Sequence, residues 1–65
     1  MTASERREKI LSLVNQTEGI KSSELAERLS VTTETIRKDL IYLDKKKLLH
    51  KFHGYVKPAT EASEH

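Results

Sequence analysis

Residues 22–49 decide the fold of this chain, and their sequence is SSELAERLSVTTETIRKDLIYLDKKKLL. Apolar residues recur at helical spacing on both sides of Ser30-Val31, which predicts a short helix, a tight turn and a longer helix. The longer helix begins among three threonines and then presents Arg37 and Lys38. A helix-turn-helix places a helix end of this kind in the major groove, so the stretch favours sequence-specific DNA binding.

Capping signals place the elements before this stretch. Thr2 and Glu5 have the spacing of a capping box, which predicts a first helix over residues 3–16. Gly19 suits the left-handed position after that helix. The short apolar pair at 20–21 is long enough for a stub of strand.

The next two helices are bounded by hydroxyl residues. Ser22 or Ser23 can cap the second helix, and Thr32 is the expected cap of a third helix over residues 33–46. Ile41 and Tyr42 fall on the side of the third helix that faces away from its apolar stripe. The residues expected to face the core from these two helices are Leu25, Ala26, Leu29, Ile36, Leu40 and Leu43.

A hairpin is predicted after Lys47, where the apolar period changes. The chain is expected to turn near Gly54, and Pro58 should end the second strand because it cannot donate to a ladder. The fold class is therefore mainly α with a small β part: a winged helix-turn-helix with three helices and a two- to three-stranded hairpin wing over residues 1–58. Residues 59–65 have no apolar anchor and are expected to form a disordered tail or the start of a linker.

Length and composition limit the alternatives. The 65 residues make one domain, and the lack of cysteine removes both a disulfide framework and a thiolate metal site. No apolar run approaches the roughly 20 residues of a membrane span, and the charged start is not a signal peptide. We therefore expect a cytoplasmic chain with no membrane partner. His50 and His53 point to opposite faces of a strand and lack an obvious third ligand, so neither a metal nor another cofactor is expected.

Positive charge is concentrated in one part of the chain. Residues 1–36 carry five Lys or Arg and six Glu, a net charge of −1, whereas residues 37–57 carry seven Lys or Arg and two Asp, a net charge of +5. A localised basic patch attracts a polyanion and releases counterions on contact. The alternative is a solvated helix end, since lysines near a helix C-terminus also interact favourably with its dipole.

The motif ETIRKDL, followed by LL and HG, resembles the N-terminal DNA-binding domain of the DeoR-type bacterial repressors across roughly residues 5–57. In that resemblance Arg37 and Lys38 match a basic pair, Lys51 matches a wing position that is commonly arginine, and His53-Gly54 match the start of the wing tip. The resemblance implies a full-length homo-oligomer whose sugar-phosphate-type effector is bound by a domain absent from this chain. It also implies that the isolated domain is a monomer that binds double-stranded operator DNA.

Three positions depart from the family pattern, because each replaces a common glycine. Ser30 lies in the turn, Lys47 precedes Leu48, and Tyr55 follows Gly54. We expect Ser30 and Lys47 to be accommodated without a positive φ, and we expect Tyr55 to alter the geometry of the wing tip.

Physical roles can be assigned to the expected DNA contacts. Arg37 is the best candidate for base reading because its guanidinium pairs bidentately with guanine O6 and N7, while Lys38 suits a phosphate. Asp39 would repel phosphate and is expected to orient a neighbouring basic side chain, and Arg6 and Arg7 are possible flanking contacts. The full set of expected DNA contacts is Ser22, Ser23, Thr32, Thr33, Thr35, Arg37, Lys38, Tyr42, Lys51, His53 and Tyr55.

Two other functions compete with DNA binding. A winged helix can bind protein, and the exposed Ile41 and Tyr42 would then form the patch. An enzyme is the third possibility, but no nucleophile with its base, paired carboxylate cleft or glycine-rich phosphate loop can be assembled from the sequence. We therefore expect a DNA-binding domain that is not an enzyme.

Overall fold

The computed structural model describes residues 1–59. Its elements in chain order are α1 (Ala3–Thr17), β1 (Ile20–Lys21), α2 (Ser22–Leu29), α3 (Thr33–Lys45), β2 (Leu49–Phe52) and β3 (Tyr55–Pro58). The strands form one antiparallel sheet in the order β1-β3-β2. The predicted winged helix-turn-helix is therefore confirmed, with β1 as the third strand. The tail expected over residues 59–65 lies outside the described residues, apart from Ala59.

Side-chain caps begin α1 and α3 where the sequence predicts. The Thr2 hydroxyl accepts from the Glu5 N–H at 3.1 Å, and the Glu5 carboxylate accepts from the Thr2 N–H at 3.0 Å, which completes the capping box. The Thr32 hydroxyl accepts from the Thr35 N–H at 3.2 Å. Each cap satisfies a backbone donor that has no partner inside its helix, so the first turn of α3 is fixed locally.

Two residues expected at helix-capping positions are wrong. The left-handed residue after α1 is Glu18, with φ of 59°, rather than Gly19. Gly19 has φ of 140° and lies under Tyr55, whose hydroxyl would be 2.6 Å from a Cβ at that position. At the start of α2, Lys21 occupies the N-cap position without a side-chain hydrogen bond, so neither Ser22 nor Ser23 is the cap. The Ser22 N–H donates instead to the carbonyl of Gly54 at 3.3 Å.

The expectation that Ser30 and Lys47 avoid a positive φ is also wrong. Their φ angles are 57° and 61°. Each of the two residues follows a helix and lies at the same position of a helix-ending turn. The N–H groups of the next residues, Val31 and Leu48, donate back across the turn to the carbonyls of Ala26 and Leu43, each at 3.0 Å. This helix-ending motif requires a left-handed residue at its reversal point, whatever side chain is present.

A single apolar cluster joins the helices to the inner face of the sheet. Leu25, Ala26, Ile36, Leu40 and Leu43 are buried as expected, while Leu29 packs half-buried against the cluster. The other buried apolar residues are Ile10, Val14, Ile20, Leu49 and Val56. The core thus holds α3 between the other helices and the wing, which we define as residues 49–58.

Replacing Ser30 or Lys47 by glycine should stabilise the domain. A non-glycine residue in this conformation costs about 1–2 kcal/mol, and the greater freedom of glycine in the unfolded chain offsets about 0.4–1 kcal/mol of that. We expect Ser30→Gly and Lys47→Gly each to raise the free energy of unfolding by up to about 1 kcal/mol, measured by urea unfolding. Lys9→Gly, inside α1, is the control and should lower it by about 1 kcal/mol. A lower stability in both turn variants would contradict this account.

Candidate nucleic-acid interface

Asp39 is a buried charge at the contact between α1 and α3. Its side chain is 1% exposed. Arg6 donates to both carboxylate oxygens, through Nε to Oδ2 and through Nη2 to Oδ1 at 3.0 Å, and Arg7 Nε donates to Oδ1 at 3.2 Å. The expectation that Asp39 orients basic side chains is confirmed, and those side chains come from α1. Arg6 and Arg7 are therefore part of the α1–α3 contact, and we call the three residues the Asp39 cluster.

The surroundings of Asp39 keep its carboxylate ionised. Burial raises its pKa, but the hydrogen bonds and positive charges of Arg6 and Arg7 together outweigh burial and hold the pKa below its ordinary value. A buried charge is tolerated when it is paired and hydrogen-bonded, and both conditions are met here. The two arginines leave the cluster with a net charge of +1.

Tyr42 continues this contact along α3. The guanidinium carbon of Arg7 lies 3.9 Å from the centre of its ring, and Lys46 Nζ lies 5.3 Å from the same point. Such cation–π contacts hold the ring on the side of α3 that faces α1. Ile41 is turned away from Tyr42 by about 100° around the helix. The two side chains therefore do not combine into one apolar patch.

A groove separates α3 from the tip of the wing, and we call it the wing groove. It brings together residues that are far apart in the sequence, because the turn of the wing folds back beside the first half of α3. Six of the predicted contacts line it, together with Leu40, Phe52 and Gly54: Ser22, Thr33, Arg37, Lys51, His53 and Tyr55.

Three contacts fix the wing against the rest of the domain. The Ser22 N–H is bonded to the Gly54 carbonyl, as described above, and the Lys51 N–H donates to the Asp44 carboxylate at 3.3 Å. Tyr55 pairs with Lys21 of β1 and covers Gly19. The Ser22 N–H is therefore used inside the domain and is not available to a phosphate.

The other predicted contacts lie outside the wing groove. Thr32 and Thr35 form the cap of α3, and their hydroxyls are 2.9 Å apart. Lys38 and Ser23 are exposed, and Tyr42 faces α1. No carboxylate among residues 1–59 pairs with Arg37 or Lys38.

Phe52 is an exposed groove residue that sequence reasoning missed. Its side chain is 52% exposed, and its ring centre is 6.4 Å from that of Tyr55. The two residues are cross-strand partners, so both point to the same outer side of the hairpin. The alternation of β2 could have revealed this position, since Leu49 is buried and Phe52 is an odd number of residues away.

Within residues 1–59, no group of three His, Cys, Asp or Glu side chains is placed to hold a metal ion. No helix in the described part of the chain is long and apolar enough to cross a membrane.

The three helices, the wing and the cationic groove between them define a winged helix-turn-helix domain of the DNA-binding class. Residues 6–62 match the DeoR-like helix-turn-helix domain, and the chain belongs to that family. The expected resemblance is thereby confirmed.

The chain is similar to one part of longer regulators. It is 46% identical over 54 residues to the uncharacterized HTH-type transcriptional regulator YulB of Bacillus subtilis. The matched segment covers 83% of this chain and 21% of that protein. It is 43% identical over 54 residues to the lactose phosphotransferase system repressor of Staphylococcus aureus, covering 83% of this chain and 22% of the repressor. The chain thus spans about a fifth of the length of these curated relatives. No solved structure matches the chain significantly.

Removing the charge of Asp39 should destabilise the domain. Asp39→Asn keeps the shape of the side chain but leaves Arg6 and Arg7 without their anion at a contact that remains partly buried. Breaking a buried pair costs about 3–5 kcal/mol, and because the arginines can reach water we expect a loss of about 2–3 kcal/mol in the free energy of unfolding. Glu34→Gln, which neutralises an exposed acid on the same helix, is the matched control in urea unfolding at pH 7. Equal stability of Asp39→Asn and the unmodified chain would contradict the role of the cluster.

The free energies of unfolding of the unmodified chain and of Asp39→Asn should depend differently on pH. The folded pKa of Asp39 lies below its unfolded value, so its stabilising contribution is present above about pH 4, near the unfolded pKa of about 3.9. It is lost as the pH falls through the folded pKa. The stability difference between the unmodified chain and Asp39→Asn should be constant from pH 7 to 5 and shrink below pH 4, measured by urea unfolding at each pH. A stability difference that grows on acidification would contradict a folded pKa of Asp39 that lies below its unfolded value.

Proposed function

We propose that this chain binds double-stranded operator DNA as the N-terminal domain of a bacterial transcriptional repressor. In this proposal α3 lies in the major groove, and the wing contacts the flanking backbone or the minor groove. The observation that carries the proposal is the wing groove, where Arg37 and Lys51 are exposed beside the open start of α3. A cationic, exposed helix end beside a basic hairpin suits the negative charge and the groove width of a duplex.

Individual roles follow from side-chain chemistry. Arg37 reads a guanine through its planar fork, and the Thr33 hydroxyl or methyl meets a base edge or phosphate close by. Lys38 and Lys51 neutralise phosphates, which sets affinity and register without sequence preference. His53 and Tyr55, at the wing tip, contact the backbone or the minor groove.

The longer relatives suggest what the whole protein does. The relatives include proteins named as lactose phosphotransferase system repressors. We propose that residues 1–58 are the DNA-binding domain of a homo-oligomer that represses a carbohydrate-metabolism operon in the cytoplasm. A sugar-phosphate-type effector would bind to a domain beyond this chain. The isolated domain would then be a monomer that binds one half-site weakly and has no enzymatic activity of its own.

A protein-binding role for Ile41 and Tyr42 has less support. The ring of Tyr42 is held by Arg7 and Lys46, and Ile41 lies on another side of α3. Because the two side chains are separated around the helix, neither adds apolar area to the other.

Arg37 should give the domain its preference for a guanine at one position of the DNA. We expect Arg37→Ala to weaken binding to a duplex containing the protein's own promoter by about 1–3 kcal/mol, because the bidentate contact to one guanine is lost. Binding to a scrambled duplex should weaken much less. Fluorescence anisotropy with both duplexes measures the two effects, and unchanged promoter affinity would refute the assignment of α3 as the reading helix.

Lys38 and Lys51 should act on all sequences alike. Each lysine that binds a phosphate releases counterions, so Lys38→Ala and Lys51→Ala should each reduce the slope of log affinity against log salt by about 0.9. Lys9→Ala removes the same charge from α1, away from the wing groove, and should leave the slope unchanged. A slope that responds equally to all three substitutions would mean that the protein's overall charge, rather than this surface, attracts DNA.

A further inference from the structure

Ile41 is an apolar residue on the outer surface of α3. Its side chain is 45% exposed and contributes nothing to the buried cluster. Thr33, Arg37 and Ile41 follow one another at intervals of four residues, and each step turns by about 40° around the helix. The three side chains therefore form one continuous strip, of which Thr33 and Arg37 line the wing groove.

Cations outnumber acids around Ile41 along the helix. Residues three and four positions apart are neighbours on a helix surface, so Arg37, Lys38 and Lys45 flank Ile41. The one acidic neighbour at this spacing, Asp44, accepts from the Lys51 N–H. A partner with an apolar surface would have to desolvate these charges without neutralising them. An anionic partner that also presents a small apolar group can neutralise the cations and pack against the isoleucine. The major groove of DNA is such a partner, because phosphates flank the C5-methyl groups of its thymines.

We propose that Ile41 is a specificity-determining residue that packs against the C5-methyl group of a thymine. Ile41 lies one helical turn, about 6 Å, beyond Arg37, and base pairs are stacked about 3.4 Å apart. The thymine therefore lies within two base pairs of the guanine that Arg37 reads. This inference rests on the proposed function, since it requires α3 to lie in the major groove.

Selection from a random duplex library tests the proposal with four versions of this chain at low salt: the unmodified chain, Arg37→Ala, Ile41→Ala and Leu48→Ala. Leu48 is 46% exposed and follows the end of α3, so its substitution is a matched control for the loss of exposed apolar surface. We expect Arg37→Ala to lose a preference for guanine and Ile41→Ala to lose a preference for thymine within two base pairs of it. Leu48→Ala should retain both preferences.

Replacing that thymine by deoxyuridine in the selected duplex isolates the methyl group. The unmodified chain should bind the deoxyuridine duplex about fourfold more weakly, the effect of removing one buried methyl group. Ile41→Ala should bind the two duplexes equally.

The outcomes separate this inference from the proposed function. If Ile41→Ala selects the same sequences as the unmodified chain, or if deoxyuridine weakens both proteins equally, Ile41 does not read the methyl group. In that case the guanine preference that depends on Arg37 still supports DNA reading by α3. If the unmodified chain enriches no sequence, both the proposed function and this inference fail.

Discussion

The buried carboxylate of Asp39 determines how α1 and α3 are placed relative to each other. A negative charge inside so small a core is unfavourable unless every oxygen has a donor, and Arg6 and Arg7 supply those donors from a single turn of α1. Apolar packing alone lets two helices slide, because it has little directional preference. Hydrogen bonds to a carboxylate are directional, so the three side chains fix the position and rotation of α3.

The rotation of α3 decides which side chains reach DNA. Asp39 and Arg37 are two residues apart and therefore lie about 160° apart around the helix. When Asp39 faces α1, Arg37 lies on the opposite side of α3, where it lines the wing groove. The hydrogen bonds from Ser22 to Gly54 and from Lys51 to Asp44 then hold the wing beside it. The wing groove is thus formed before any partner arrives, which reduces the ordering cost of binding.

Local signals allowed much of this fold to be predicted from the sequence. Thr2 and Thr32 cap their helices through residues three positions away, and the spacing of Ile36, Leu40 and Leu43 defines the buried face of α3. Such signals act within one or two turns, so a single sequence displays them.

Other features depend on contacts that no local pattern encodes. The partners of Asp39 lie 32 and 33 residues earlier in the chain, and nothing near Asp39 specifies them. The positive φ of Ser30 and Lys47 is imposed by the helix-ending hydrogen bonds despite side chains that disfavour it. The residues that line the wing groove could be nominated individually as DNA contacts, but their assembly into one groove required the docked wing.

The wing groove is the face that we propose meets DNA. The most direct test is a map of backbone amide chemical shifts as this chain is titrated with a duplex containing its own promoter. We predict that the largest changes fall in residues 33–41 and 51–55. The shallow groove between α1 and α2, lined by Lys9, Gln16 and Arg28 among others, should change little. Changes concentrated in that second groove, or unmoved signals at the wing groove, would contradict the account.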